Sequence, residues 1–452
     1  MPVSTLIKLV NGQLLTDFNW NSDPDPDSPI PEVIPPEPSL SQVQSLQIVA
    51  EDLRDGLHGI AEYPAAERMA SYIDLLAQLG ISIITVGIYP GSNSKLDSTI
   101  KILLSYLAKN HPRITPVILV LADPKSIRWA NSCKTLNRRT RALIFMGTAP
   151  SRLLVEEWDR DYILENLAAA VKTASKTYKL DVIGATEHTT QTPPDFLRDI
   201  ISTVVKNGAR HFCIADTVGI ARPVGTNRII RFSRDVLTAV NAPNVALEWH
   251  GHNDLGNGQA NAMTALGSGV RRIHCVARGI GERAGNTRLE SVLLTAGEIL
   301  HEHRKPVPWR MRRLHDVLSA YSDLTKMPEP QHGAMGKRAF ATSLGIHSAA
   351  ILKAEELYDE AKRRKMKQLA IRLKKMSQTI YSAVDARRVG RKQEIHVGPW
   401  SGKSTVRLAL RYMSYTKWKP DDKTIDLVLT TAKQLGRELT DMELLKLINH
   451  ES

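Results

Sequence analysis

The chain has 452 residues, 42% hydrophobic and 24% charged, with 60 Lys and Arg against 47 Asp and Glu for a net charge of +13. This is too long for one small domain. A mean hydropathy of −0.22 and the lack of any apolar run of about 18 residues exclude a helical membrane span and describe a soluble globular protein. Three widely spaced cysteines, Cys133, Cys213 and Cys275, exclude a disulfide framework or a CxxC zinc site and suit a reducing cytoplasm.

Residues 1–20 read as a short strand or arm. They lack the basic start and apolar core of a secretory leader, so a cytoplasmic protein is expected. Residues 23–38 are rich in proline, which removes backbone donors and favours extended chain, so 1–45 is predicted to be an arm and a semi-rigid linker. A regular alternation then runs over residues 46–302. β-rich runs at 46–51, 82–88, 115–121, 141–148, 181–186, 211–215, 245–250 and 272–277 are each followed by helix-length stretches, among them 65–79, 95–109, 160–177 and 194–206. Eight such units in roughly 255 residues predict an α/β fold, a (β/α)8 TIM barrel, rather than an open doubly wound sheet. The polar residues agree. Arg54, Asp55, Thr148, Glu187, Asp216, Thr217, His250 and His252 all fall at C-terminal strand ends, which in a barrel converge on one mouth.

Beyond the barrel, residues 303–340 read as a mixed connection, with helical stretches at about 347–378 and 421–449. The predicted division is a linker and helical subdomain over 303–389 and a second small subdomain over 390–452. The loop Gly398-Pro399-Trp400-Ser401-Gly402-Lys403-Ser404 resembles a phosphate loop but has three residues where that loop needs four, so it is read as a turn before a helix. Part of the basic excess sits at Arg363-Arg364-Lys365 and Arg372-Leu373-Lys374-Lys375. It is read as a solvated surface, with attraction to a polyanion or a phosphorylated cofactor as the alternative; neither nucleic acid nor membrane is expected as a partner.

The chemistry centres on His250-Gly251-His252. Two residues apart on a strand, both imidazoles share one face, together with Glu248. With a carboxylate from elsewhere they form half of a metal shell suited to Zn²⁺, Mn²⁺ or Fe²⁺ and, with water ligands, Mg²⁺. Asp55, in Leu53-Arg54-Asp55-Gly56, is the natural third ligand, and Arg54 beside it can stabilise an enolate or alkoxide. After strand eight, Gly279-Ile280-Gly281-Glu282-Arg283-Ala284-Gly285-Asn286 lets backbone approach a ligand, and Asn286 can place an amide oxygen on the metal.

Together with His250 to Gly256 and Asp216-Thr217-Val218-Gly219, these motifs resemble the DRE-TIM metallolyase superfamily (the HMGL-like or pyruvate carboxyltransferase domain), most nearly the 2-isopropylmalate, homocitrate and citramalate synthases. Past the barrel, Gly345-Ile346-His347 looks like the segment by which that family supplies a histidine to a neighbouring subunit. The resemblance implies an acyltransferase of amino-acid biosynthesis: a divalent metal (Mg, Mn or Zn), acetyl-CoA and a 2-oxo acid as partners, a Claisen-type condensation, and a homodimer. It implies Asp55, His250, His252 and Asn286 at the metal, Arg54 as oxyanion stabiliser, and Glu187 and His347 in proton transfer. Thr85, Thr148, Arg152 and Thr217 are the expected substrate-binding residues. A carbon–carbon lyase of the same fold and a non-catalytic metal-binding paralogue are the competing readings.

Several positions depart from the synthase pattern. Leu57-His58 stands where Glu-Gln is usual, Thr85-Val86-Gly87 lacks the usual Glu, Arg152 takes a usual His position, and Glu187-His188-Thr189-Thr190-Gln191 replaces Glu-Asp-x-x-Arg. After His347, Ser348-Ala349-Ala350 replaces a nearby acid. Acids lost and Arg152 gained predict a more anionic substrate.

Overall fold

A computed structural model describes residues 18–21, 36–91, 94–413 and 421–449. Most of the predicted N-terminal arm and proline-rich linker lies outside the described residues. Contacts divide the chain into two compact units, residues up to 310 with Val317–Met327, and Met311–Asp316 with the residues from Pro328 onward.

In the first unit, eight parallel strands close into a barrel in sequence order. They are β1 Gln47–Ala50, β2 Ile83–Ile88, β3 Thr115–Leu121, β4 Arg141–Gly147, β5 Asp181–Glu187, β6 His211–Asp216, β7 Ala246–Gly251 and β8 Arg272–Cys275. Each lies within two residues of its predicted ends. Closure pairs Val49 with His274 and Ala50 with Cys275. The strands form because β-branched and aliphatic residues occupy both faces, as burial on both sides demands. Outward residues such as Ile84, Ile144 and Trp249 are fully buried against the surrounding helices. Those helices carry ordinary start signals: Ser94 and Asp123 cap theirs with side-chain oxygens, and Pro124 and Pro150 occupy first turns where a missing N–H costs nothing.

The barrel interior is divided. Val49, Ile83, Val117, Leu119, Leu143, Ile183, Ala185 and Cys213 form an apolar cluster with Ile88 and Phe145. A barrel of this kind is usually filled by such layers throughout. Here the sector closed by β6, β7, β8 and β1 carries His211, Glu248, Arg272, His274 and Glu51 instead, linked by hydrogen bonds.

The second unit contains an α-hairpin, Gly345–Arg363 and Lys367–Thr379, turned at Lys365 with φ of 58°. Two short parallel strands, β9 Ala341–Thr342 and β10 Glu394–Ile395, precede helices Lys403–Tyr412, Asp422–Leu435 and Asp441–Asn449. The helical stretch expected over 421–449 is two helices, parted at Gly436 in the left-handed region. Gly398–Gly402 is a turn: Ser401 Oγ donates to the Ser343 carbonyl and accepts from the Gly398 N–H. Among the described residues no helix is long and apolar enough to cross a membrane.

Asp52, just after β1, yields a stability prediction. Its Oδ1 accepts from Tyr72 and the Ala277 N–H, while Oδ2 is buried with no hydrogen-bond partner. Burial pushes this carboxyl up to about 7. A folded-state value raised above the unfolded one contributes stability below about pH 4 that is lost as pH rises through 7. Asp52→Asn removes that slope. Chemical unfolding at about pH 5 and pH 8 should show the wild type losing roughly 2–3 kcal/mol more than the variant across this interval. Parallel slopes in the two proteins would exclude Asp52 as the cause.

Candidate active site

A cavity of about 350 Å³ opens at the C-terminal ends of the barrel strands. One side is polar and includes Glu51, Arg54, Asp55, His250, His252 and His274. The other is largely apolar, formed by Ile88, Leu119, Leu143, Phe145 and Ala185.

Strand parity builds the polar side. On β7, Glu248 and His250 point inward, and His252 continues the same face in a one-residue antiparallel bridge to Asn286. Asp55 lies in the short turn Asp55–Leu57 after β1. That turn needs Gly56, since a Cβ there would stand 2.0 Å from the Tyr321 hydroxyl, which donates to the Gly56 carbonyl at 2.8 Å. Gly281 has a similar reason: its φ is 152°, and a Cβ would meet the Asn286 amide nitrogen at 2.0 Å. The 279–286 loop is held by Arg283, which donates to Asp254 and to the Thr217 carbonyl.

His250 Nε2 and His252 Nε2 are 3.2 Å apart, and Asp55 Oδ2 stands 3.4 and 3.6 Å from them. Donors at about 2.0–2.2 Å from one ion stand about 2.8–3.6 Å from each other at angles between 90° and 110°. Both Asp55 oxygens and both Nδ1 atoms are buried without a hydrogen-bond partner. The Asp55 carboxylate, ion-paired to Arg54 and His58 but without a hydrogen bond, faces the two converging Nε2 atoms, and a buried carboxylate beside two such donors is an arrangement that a cation would complete. Burial, then His252, holds His250 down to about 3, and burial lowers His252 as well, so both imidazoles are neutral, the form that ligates. Burial opposes the ionised Asp55, but Arg54, His58 and the two histidines hold it well below the usual carboxylate range.

Glu51, His250 and His274 form a second group with metal-like spacing. It is already satisfied. Glu51 accepts from Arg54, Thr85 and His274, and His274 lies between Glu51 at 2.7 Å and Glu248 at 3.1 Å. Against burial, the Cys213 sulfur at 3.8 Å and the two carboxylates raise His274 well above its ordinary value, so this imidazole is a cation. The first group therefore fits an ion and the second does not.

The remaining expected site residues divide by position. Arg54 lines the cavity, held by Glu51 at 2.7 Å and Asp55 at 3.2 Å. Glu187 and Thr217 also line it, and the Thr217 hydroxyl accepts the His188 N–H. Arg152 is not among the lining residues; its guanidinium faces Glu156 at 2.9 Å and Glu187 at 3.5 Å. Thr85 is fully buried and donates to Glu51, and a register shift after it, between Thr85 and Gly87, brings Ile88 to the cavity. Thr148 is fully buried as well and ties β4 to the Glu187 carbonyl and the Thr192 hydroxyl. Asn286 is buried, its amide nitrogen directed to the Ile280 carbonyl at 3.3 Å. His347 belongs to the second unit, where it stacks on Tyr381 at 3.8 Å. Sequence reading missed Glu51 and His274. Their signal was present: ionisable residues sharing inward parity with His250 on neighbouring strands.

A family model described as HMGL-like matches residues 45–317. The 2-isopropylmalate synthase of Aeromonas hydrophila is 31% identical over 316 residues, covering 68% of this chain and 57% of that enzyme. That of Crocosphaera subtropica is 26% identical over 429 residues, covering 91% and 74%. This chain thus spans little more than half of the Aeromonas enzyme's length. Among solved structures, HMG-CoA lyase from Brucella melitensis superposes with a TM-score of 0.51 at 18% identity, covering 62% of this chain and 99% of that one. The Pseudomonas aeruginosa lyase gives 0.50 at 17%, covering 64% and 94%. At these identities the structural likeness speaks for the barrel alone.

Proposed function

Because this chain belongs to the HMGL-like family, we propose that it is an acyltransferase that condenses acetyl-CoA with a 2-oxo acid, giving a 2-hydroxy dicarboxylic acid and CoA. The observation that carries this reading is the orphaned Asp55–His250–His252 triad at the mouth of the barrel, beside a cavity sized for a small acid. A divalent ion bound there would supply Lewis acidity to the 2-oxo acid. Asp55, His250 and His252 would hold it. Asn286 spends its amide nitrogen on Ile280, so its oxygen is the atom available to the ion.

The protein's own groups then divide the work. Arg54, oriented by Glu51, presents a fixed guanidinium to the oxygen on which negative charge develops. Glu187 is the carboxylate on the opposite rim and is assigned to proton transfer, together with His347 from a neighbouring subunit in a homodimer. Thr217 lies beside the substrate. Arg152 acts through Glu187: two carboxylates answer its charge, so it adds little attraction for an anionic side chain. With an apolar wall opposite the triad, the favoured 2-oxo acid carries an uncharged, branched side chain rather than a second carboxylate.

Thiol release from acetyl-CoA tests this, with and without Mn²⁺ or Mg²⁺, over pyruvate, 2-oxoisovalerate and 2-oxoglutarate. The expected result is CoA release that needs both metal and 2-oxo acid, with 2-oxoisovalerate at least ten-fold above 2-oxoglutarate in kcat/KM. Preference for the dicarboxylate overturns the side-chain assignment. No release with any acid overturns the condensation itself.

A further inference from the structure

The positive charge of this protein is not spread over it. The first unit carries 34 Lys and Arg against 32 Asp and Glu, a net of +2. The second unit carries 26 against 15, a net of +11 out of the chain's +13. The proposed barrel chemistry makes no use of this excess.

Much of it surrounds one cavity. A hollow of about 670 Å³ is formed at the α-hairpin Gly345–Arg363 and Lys367–Thr379. Lys362, Lys365, Lys367, Lys374, Lys375 and Arg387 line it, and no carboxylate does. Its apolar surface comes from Tyr358, Ala370 and Ile371. Tyr358 is half-buried, with the Lys374 ammonium 5.3 Å from its ring centre.

Three acids of the neighbourhood are already engaged. Glu355 is buried and takes Lys374, Ser377 and Arg411. Glu360 pairs with Arg363 and Arg364, and Asp385 with Arg387. Lys362, Lys365, Lys367 and Lys375 have no ion pair among the described residues. Four unanswered ammonium groups around one concave surface repel each other and draw an anion. The volume is in the range of a whole small-molecule site and far exceeds one phosphate. An aromatic ring with aliphatic neighbours offers a stacking face that a bare anion would not use.

We propose that this cavity binds a phosphorylated, base-bearing anion of the nucleotide class, with phosphates on Lys362, Lys365, Lys367 and Lys375 and the base against Tyr358 and Ile371. Such a ligand has two sources, a free nucleotide or the nucleotide end of CoA. The site stands whether or not the barrel condenses acetyl-CoA; only the choice of source draws on that reading.

Titration of the full chain with adenosine 3′,5′-bisphosphate, adenosine and inorganic phosphate tests the site. The bisphosphate should bind at least ten-fold tighter than either fragment and weaken as salt rises. The exposed double variant Lys362→Gln/Lys367→Gln should lose at least ten-fold in bisphosphate affinity, and Ile371→Ser should lose at least three-fold without altering any charge. Both should keep the wild-type circular dichroism and Mn²⁺ affinity. Bisphosphate binding no tighter than phosphate, or unaltered in both variants, overturns the proposal, as does a stronger preference for heparin or RNA. Steady-state kinetics separates the sources. A KM for acetyl-CoA raised at least five-fold in the lysine variant at constant kcat assigns the site to CoA. An unchanged KM beside lost bisphosphate affinity assigns it to a free nucleotide.

Discussion

Asp55→Asn is expected to lower kcat/KM for metal-dependent CoA release by about a thousand-fold and to abolish stabilisation by Mn²⁺. An amide is a neutral, weaker ligand than a carboxylate, and the Lewis acidity lost with the ion is worth several kcal/mol, at 1.36 kcal/mol per decade. The buried surroundings make the effect large, because both Asp55 oxygens lack hydrogen-bond partners and no nearby carboxylate is free to substitute. Glu51 is the nearest alternative, but it is committed to Arg54, Thr85 and His274. Calorimetric Mn²⁺ titration checks the assignment. His252→Gln should lose the ion as Asp55→Asn does, while His274→Gln should keep it within a few-fold. If His274→Gln loses the metal and His252→Gln retains it, the ion belongs to the Glu51–His250–His274 group instead.

The barrel was legible because each strand is a short apolar run at a regular interval, and the strand ends are fixed by local chemistry. The convergence of His250 and His252 was legible because two histidines at spacing two must share a face on any strand. Asp55 followed from its place after the first strand. What remained hidden depends on register. Glu51 and His274 are 223 residues apart, and they meet because closure of the barrel pairs Val49 with His274. Thr85 was expected at the substrate, but it is buried and donates to Glu51, and a register shift after it brings Ile88 to the cavity. Arg152 was read as a free cation, which it would be if Glu156 and Glu187 did not converge on it, and that convergence combines a helical i,i+4 pair with a contact from the helix Pro150–Glu156 to the end of β5. The apolar wall is assembled from five residues of four strands, each indistinguishable in sequence from ordinary barrel filling.

The charged sector behind the site leads to the second large effect: His274→Gln should cost about 3–5 kcal/mol of stability at neutral pH, the range for removing one partner of a buried charge group. His274 is almost wholly buried between Glu51 and Glu248, and Glu248 passes the chain of charges on to Arg272, which contacts His211. A glutamine can donate to one carboxylate but carries no charge, leaving two buried anions with only Arg54 and Arg272 to answer them. The pH dependence follows from the signs. His274 is raised above its ordinary value, so its contribution is complete below about pH 6.5 and is lost only as pH rises through its higher folded value. Glu248 is held down to about 2 and Glu51 is lowered as well, chiefly against their burial by these same cations, so their contribution is present above about pH 4.5 and is lost on acidification. The wild-type network is therefore fully stabilising between about pH 4.5 and 6.5. In the variant the carboxylates protonate more readily, so its deficit should shrink by half or more when unfolding is measured at about pH 4.5 rather than pH 7. Adding Glu248→Gln to His274→Gln should recover part of the loss at pH 7, because it removes an anion with no remaining imidazolium. A double variant less stable than His274→Gln alone would mean that Glu248 is held by Arg272 alone, and that His274 serves only to fix Glu51 and, through it, the guanidinium of Arg54.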